Sequence, residues 1–277
     1  MLDLVSLVYV AGFQLVVWFA ARAIAQRLLP RCRSECKVPD LEHRVKEVFL
    51  HAGSMLLVFR VIQQHGWLKI DGTAVHERDP VGTLPQEMAV LYLYETLMAT
   101  VSLVQIMFRP VKTKDAHVMV VHHSVTVFLL CVSAWVGFPE YGAGVLSLHD
   151  RSDVLIDLSK LFYMAQLKSG VAEATFAVAG IFWAWDRIVW FGWVIVHIWF
   201  SRWHVDRIAE APVSVPILIA LTCLLVLNLR WFKMLLAVFY GRFVGTKGGA
   251  AFNQAASDYF RHRDSSSPRA HIKTRVE

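Results

Sequence analysis

The chain has 277 residues, of which 56% are hydrophobic and only 18% are charged, and its mean hydropathy is +0.46. A soluble domain is about half apolar and about one quarter charged, so this composition argues against a soluble protein and indicates an all-α polytopic membrane protein. The net charge of +6 could suggest nucleic-acid binding. The basic residues, however, lie in short segments between apolar runs, which is typical of membrane topology, so we expect no nucleic-acid partner.

Apolar runs of roughly 20 residues, the length that crosses a bilayer, predict about seven transmembrane helices. One of the seven, residues 142–167, is interrupted by acids and by Lys160. In chain order, the predicted spans are residues 4–25, 48–68, 88–108, 117–138, 142–167, 172–200 and 216–240.

The same pattern predicts three regions and their orientation. Residues 1–47 should hold an N-terminal helix and a basic cytosolic loop, residues 48–240 a helical bundle, and residues 241–277 a disordered basic cytosolic tail. With seven spans, every basic segment falls on one side of the membrane. The positive-inside rule therefore predicts a lumenal N-terminus and a cytosolic C-terminus.

The run "VVHHSVTVFLL", residues 120–130, places two histidines inside an apolar helix. His122 and Thr126 are spaced i, i+4 and share a helix face. A lone histidine within a membrane, such as His51 or His197, is more often a structural residue that makes a hydrogen bond. A histidine pair near acids instead indicates function, because ionisable groups inside membranes are rare and costly.

The second polar run is "HDRSDVLIDLSKLFY", residues 149–163. On a helical wheel, Asp150, Asp153, Asp157 and Lys160 fall within about 80° of one another and form one stripe. This helix runs antiparallel to the histidine helix, and the polar groups of the two lie at similar depths. We therefore expect the histidines and the carboxylates to meet.

Histidines and acids within a membrane are also typical of metal sites and of transporters. The spacing His117-x4-His122-His123 has no second or third histidine box, so we expect no metal site. A transporter would also use acids and histidines within the membrane, but the chain shows no repeat of interrupted helices.

"HHSVT" followed by "HDRSDVLIDLSKLFY" resembles the Lag1 motif of the TLC-domain family, in particular its ceramide synthases. That motif reads HH-x-x-T and then HD-x-x-D-x-x-L-E-x-A-K-x-x-x-Y. Ile156, Asp157 and Ser159 replace its Leu, Glu and Ala, and Ala116 stands where the family usually has an aromatic residue. The resemblance covers roughly residues 48–240 and implies a six-helix TLC-type bundle preceded by an N-terminal helix. The matching residues are His122, His123, Thr126, His149, Asp150, Asp153, Lys160 and Tyr163.

The resemblance implies N-acylation of a sphingoid long-chain base by acyl-CoA, which gives a ceramide or dihydroceramide. Acyl-CoA would be a co-substrate, with no permanently bound cofactor, membrane lipids would surround the site, and a homodimer or heterodimer is left open. The implied catalytic residues are His122, His123, Asp150 and Asp153. The implied substrate-binding residues are Thr126, Asp157, Lys160, Tyr163 and Arg187, with Arg109, Lys112 and Lys114 facing the CoA phosphates. The last three also satisfy the positive-inside rule without any ligand.

The leading alternative is a non-catalytic TLC-domain protein that senses, traffics or organises membrane lipids. Some members of the family lack the complete set of histidines and aspartates, so their presence here favours the enzyme. The ending "KTRVE" places Lys273 and Arg275 in a variant of a dibasic retrieval signal. Together with the resemblance, it predicts a multi-pass protein of the endoplasmic reticulum membrane.

Overall fold

The computed structural model describes residues 4–32, 36–65, 84–108, 115–136, 139–167, 170–201 and 214–243. Within these ranges the regular structure is helical, as the sequence predicts. The basic residues Arg109, Lys112 and Lys114, expected to face CoA, lie outside the described residues. So do the C-terminal residues 244–277, which include most of the predicted tail.

The helices follow the predicted spans in order. The last but one span forms a single long rod, in which a π-helical segment, Trp183–Trp190, joins helix α6 to helix α7. The helices are α1 (Leu4–Leu28), α2 (Val38–His65), α3 (Gln86–Phe108), α4 (Ala116–Val136), α5 (Pro139–Met164), α6 (Val171–Phe182), α7 (Phe191–Ser201) and α8 (Ser214–Phe243).

Five of the described helical rods are long and apolar enough to cross a membrane: Ser6–Arg31, Gln86–Phe108, Ala116–Val136, Val171–Phe200 and Val215–Tyr240. The other two rods, α2 and α5, carry many charged residues. Large apolar side chains such as Tyr9, Phe108 and Phe200 are exposed, which suits contact with lipid rather than water. The prediction of an all-α polytopic membrane protein is confirmed.

Helix α5 lies at the centre of the described bundle, because its two faces contribute to two apolar clusters. One cluster joins Ala143 and Leu146 of α5 to residues of α2, α3 and α4. The other joins Leu148 of α5 to Phe191 and Ile195 of α7 and to apolar residues of α8. Burial of apolar side chains on both sides fixes α5 in place. Its polar stripe is thereby held against α2 and the π-helical segment.

Two local features differ from the predicted elements. Helix α2 begins at Val38 rather than at residue 48, so part of the predicted basic loop is helical. Pro39 and Asp40 favour that start, because proline suits a first helical turn and an acid suits the helix N-terminus. The predicted span 172–200 contains the π-helical segment, which apolar length and periodicity do not predict.

Candidate active site

The acidic stripe of α5 meets α2 at two points. Ser54 donates a hydrogen bond to Asp150 Oδ2 at 2.5 Å, and its hydroxyl also contacts the carboxyl group of Glu95 on α3. Closer to the other end of the stripe, Arg44 Nη1 lies 3.0 Å from Asp157 Oδ1. Asp150 and Asp157 therefore share one face of α5, as the helical wheel predicts.

Asp153, on the same stripe, also contacts the π-helical segment. Its Oδ2 lies 2.5 Å from Nη2 of Arg187, which is only 2% exposed. Arg187 also donates to Ser152 Oγ at 2.7 Å and to the carbonyl of His149 at 2.8 Å, and its guanidinium lies over the Trp183 ring. A buried charge needs this dense set of partners to offset the loss of water. The guanidinium group of Arg187 therefore contacts two side chains and one carbonyl of α5. Its predicted contact with substrate stays a prediction.

The π-helical segment brings two consecutive charged residues to α5. Beside Arg187, Asp186 is fully buried and accepts two hydrogen bonds from Arg151, at 2.9 and 2.5 Å. An α-helix points neighbouring residues about 100° apart, whereas π-helical turns change that direction and often occur at functional sites. From this segment, both Asp186 and Arg187 bind α5.

His149 has both ring nitrogens occupied. Nδ1 lies 2.8 Å from the carbonyl oxygen of Val145, and Nε2 lies 3.2 Å from the side-chain nitrogen of Asn228. The carbonyl can only accept, so Nδ1 carries the proton and Nε2 accepts from the Asn228 amide. The Asn228 amide oxygen faces Arg187 Nη1 at 3.4 Å. His149 therefore joins α5 to α8 and is not free to act as a base.

His122 and His123 lie on α4 beside this network. The His122 ring makes edge contacts with the rings of Trp231 and His123, with centroids 5.2 and 5.3 Å apart. Its Nδ1 is buried and has no hydrogen-bond partner among the described residues. An imidazole nitrogen without a partner can accept a proton or an acyl group.

The two histidines and Asp153 lie in one electrostatic environment. His122 interacts with Asp153, His149 and Arg187, and His123 interacts with Asp153, Glu47 and His51. Within the described part of the chain, neither histidine makes a hydrogen bond or an ion pair with Asp150 or Asp153. The predicted meeting of histidines and carboxylates is thus one of proximity, with no direct bond.

The remaining predicted residues have varied surroundings. The Thr126 hydroxyl donates to the carbonyl of His122, one turn earlier on the same helix, at 2.9 Å. Lys160 is half exposed and lies 3.4 Å from Asp157 Oδ1. Tyr163 is partly buried on the last turn of α5. Their predicted contacts with substrate stay predictions.

Sequence reasoning missed the groups that α2 and α3 contribute. His51 was expected to be an isolated structural residue, yet its Nε2 lies 3.6 Å from Glu47 Oε2 and 3.9 Å from Asp157 Oδ2. Glu95, only 3% exposed, was also overlooked. The available signals were the i, i+4 spacing of Glu47 and His51 and an acid in the middle of the apolar helix α3.

Two groups of described side chains have the composition of a metal site: Glu47, His51 and Asp157, and His51, Asp150 and Asp153. Within each group the donor atoms lie within 4.8 Å of one another. Protein cations already pair with these acids, because Arg44 and Lys160 contact Asp157 and Arg187 contacts Asp153. The negative charge of these carboxylates therefore does not require a metal ion to balance it. The expectation of no metal site stays a prediction.

Comparison with known proteins places the chain in a family. The TLC domain family, described as TRAM, LAG1 and CLN8, matches residues 40–237, which is well over half of the sequence. The chain belongs to the TLC-domain family. The helices that hold the polar network, α2 to α8, fall almost wholly within the matched residues.

Several TLC-domain relatives are named ceramide synthases. The chain is 28% identical to ceramide synthase hyl-2 of Caenorhabditis elegans, over 58% of this chain and 51% of that protein. It is 24% identical to ceramide synthase LOH2 of Arabidopsis thaliana, over 66% of this chain and 61% of that protein. With human ceramide synthase 1 the identity is 27%, over 57% and 47%. The matched region thus spans about half to three fifths of these relatives.

Proposed function

We propose that this TLC-domain protein is a ceramide synthase, which transfers an acyl group from acyl-CoA to the amine of a sphingoid base. The observation that carries the proposal is the convergence of His122, His123, Asp150 and Asp153 on one polar interior of the described helical bundle. The names of the ceramide synthase relatives support the reaction class.

The reaction needs groups that the polar interior offers. The sphingoid base carries an ammonium group, and a carboxylate such as Asp150 or Asp153 would attract it. An imidazole would then accept a proton from nitrogen, since histidine is suited to proton transfer near neutral pH. Nitrogen attacks the thioester carbonyl, the C–N bond forms, and the C–S bond breaks to release CoA as the thiol. Alternatively, the imidazole accepts the acyl group first and passes it to the amine.

The unpartnered Nδ1 of His122 supports a role for this histidine in proton or acyl transfer. His149, by contrast, is occupied at both nitrogens, so we assign it a positioning role on Asn228 and Val145. Arg187 would hold Asp153 in place, because its guanidinium is fixed by Ser152 and the His149 carbonyl. Thr126, Asp157, Lys160 and Tyr163 would contact substrate from α4 and α5, and Arg109, Lys112 and Lys114 would bind the CoA phosphates.

The test is an acceptor panel with purified full-length protein and acyl-CoA, read by mass spectrometry. We expect an amide with sphinganine and no ester with a matched long-chain diol that lacks the amine, because the acidic interior favours a cation. Acyl-CoAs of several chain lengths serve as donors, so that a narrow length preference does not hide the activity. Folded protein that forms no amide with any donor would contradict the proposal and favour a non-catalytic lipid-binding role.

We also propose that the protein lies in the endoplasmic reticulum membrane with a lumenal N-terminus and a cytosolic C-terminus. The basic segments between the helices support this orientation through the positive-inside rule. In sealed reticulum vesicles, protease is expected to remove a C-terminal tag without detergent and an N-terminal tag only after detergent. The reverse pattern would contradict the orientation, and a tagged copy confined to the cell surface would contradict the location.

A further inference from the structure

Acidic and imidazole side chains between α2, α3 and α5 form a connected series, here called the polar column. At one end, Glu95 and Asp150 are each 3% exposed. At the other end, Glu47 and Asp157 lie beside Arg44, Lys46 and the half-exposed Lys160. The polar column therefore runs from the buried interior toward a charged, accessible end of the bundle. Its members are Glu95, Asp150, Asp153, His51, Glu47 and Asp157.

His51 joins the two halves of the polar column. A ring nitrogen of His51 lies within 4.8 Å of carboxylate oxygens of both Asp150 and Asp153. On the other side, its Nε2 is 3.6 Å from Glu47 and 3.9 Å from Asp157. Such gaps are too long for hydrogen bonds, but a single water molecule or a small side-chain movement can bridge them.

At the buried end of the polar column, two carboxyl groups contact one hydroxyl group. The Ser54 hydroxyl contacts both the Asp150 and the Glu95 carboxyl groups, yet a hydroxyl has only one hydrogen to donate. The second contact is a hydrogen bond only if one of the two carboxyl groups is protonated. A carboxyl group that shares a proton in this way can also pass it on.

The proposed acyl transfer releases a proton that must leave this interior. An ammonium and a thioester give an amide, a thiol and one proton: the C–N bond forms, the C–S bond breaks, and the leaving sulfur keeps one of the two protons lost by nitrogen. We propose that the polar column is the path by which the remaining proton leaves the site, with His51 as its relay. This inference rests on the proposed ceramide synthase function.

Two features of His51 suit a relay. Imidazole accepts and releases protons near neutral pH, and each of its two nitrogens can carry the proton. The second nitrogen, Nδ1, is buried and has no hydrogen-bond partner among the described residues. The charged or titratable groups that act on His51 come from all the surrounding helices: Glu47 on α2, Glu95 on α3, His123 on α4, and Asp150, Asp153 and Asp157 on α5.

The test compares His51→Gln and His51→Ala with the wild-type protein in lipid nanodiscs, using sphinganine and acyl-CoA. Both variants are expected to lower kcat by about 10²-fold, the scale for losing a proton-transfer group, with KM values changed less than about 2-fold. Added imidazole should restore a large part of kcat in His51→Ala, which leaves room for it. His197→Ala is the matched control, because His197 stacks on Trp193 of α7 and is not a member of the polar column. Its kcat should stay near wild type with or without imidazole.

A folded His51→Gln protein with wild-type kcat would overturn the relay. So would a loss in His51→Ala that imidazole does not restore, because a purely structural role predicts that result. If a chelator abolishes wild-type activity, a divalent metal restores it, and His51→Gln raises the metal concentration needed, His51 is a metal ligand and the relay is also overturned. Failure of the proposed function is distinct, since wild-type protein would then form no amide.

Discussion

Replacing Asp150 or Asp153 with Asn is expected to lower amide formation per folded molecule by about 10²-fold or more, a scale typical of losing an acid–base group. Both carboxyl groups face the interior that His122 and His123 also approach. Asparagine keeps the shape of the side chain but cannot carry the charge that would attract an ammonium. Turnover is measured with sphinganine and acyl-CoA and divided by the amount of folded protein.

The two substitutions should differ in their effect on folding. From sequence alone, both are expected to leave the fold intact, because Asn removes a costly charge. Asp153, however, pairs with the buried Arg187, and removing one partner of such a pair costs about 3–5 kcal/mol. Asp150 accepts from Ser54 and makes no ion pair in the described part of the chain. The folded yield should therefore fall for Asp153→Asn and stay near wild type for Asp150→Asn.

Asp115→Asn is the matched control for both. Asp115 precedes α4 and lies 3.4 Å from Arg230, in an ion pair whose side chains are one third to one half exposed. Pairs of this kind contribute only about 0–1 kcal/mol. Its activity and yield should stay near wild type. Wild-type turnover per folded molecule in both Asp150→Asn and Asp153→Asn would show that the acids have a structural role only.

The fold was predictable to the extent that it depends on apolar length and periodicity. Spans of about 20 apolar residues mark the rods, and the 100° repeat places Asp150 and Asp157 on one face of α5. The same periodicity also suggested a common direction for Asp153. The structure keeps its carboxylate near that of Asp150 and also pairs it with Arg187 on the neighbouring rod, a partner that periodicity does not predict.

Other parts of the site depend on contacts between distant segments. The π-helical geometry follows from no apolar pattern, although the segment differs from the α-helices on either side by its adjacent charged residues Asp186 and Arg187. His51 and Glu95 lie outside the histidine and acid runs of α4 and α5, and only the packing of α2 and α3 beside α5 shows that they join the acids. Asn228 was missed for the same reason: its role depends on facing both His149 and Arg187.

The most direct test of acyl transfer by this interior is the turnover of His122→Ala and His123→Ala, measured with sphinganine and isotopically labelled acyl-CoA. The labelled amide is quantified by mass spectrometry and normalised to folded protein. Each variant is expected to lose about 10²-fold or more in amide formation, because the remaining histidine points about 100° away around the helix and does not reach the same position. Near-wild-type turnover per folded molecule in both variants would contradict the catalytic role of the histidine pair.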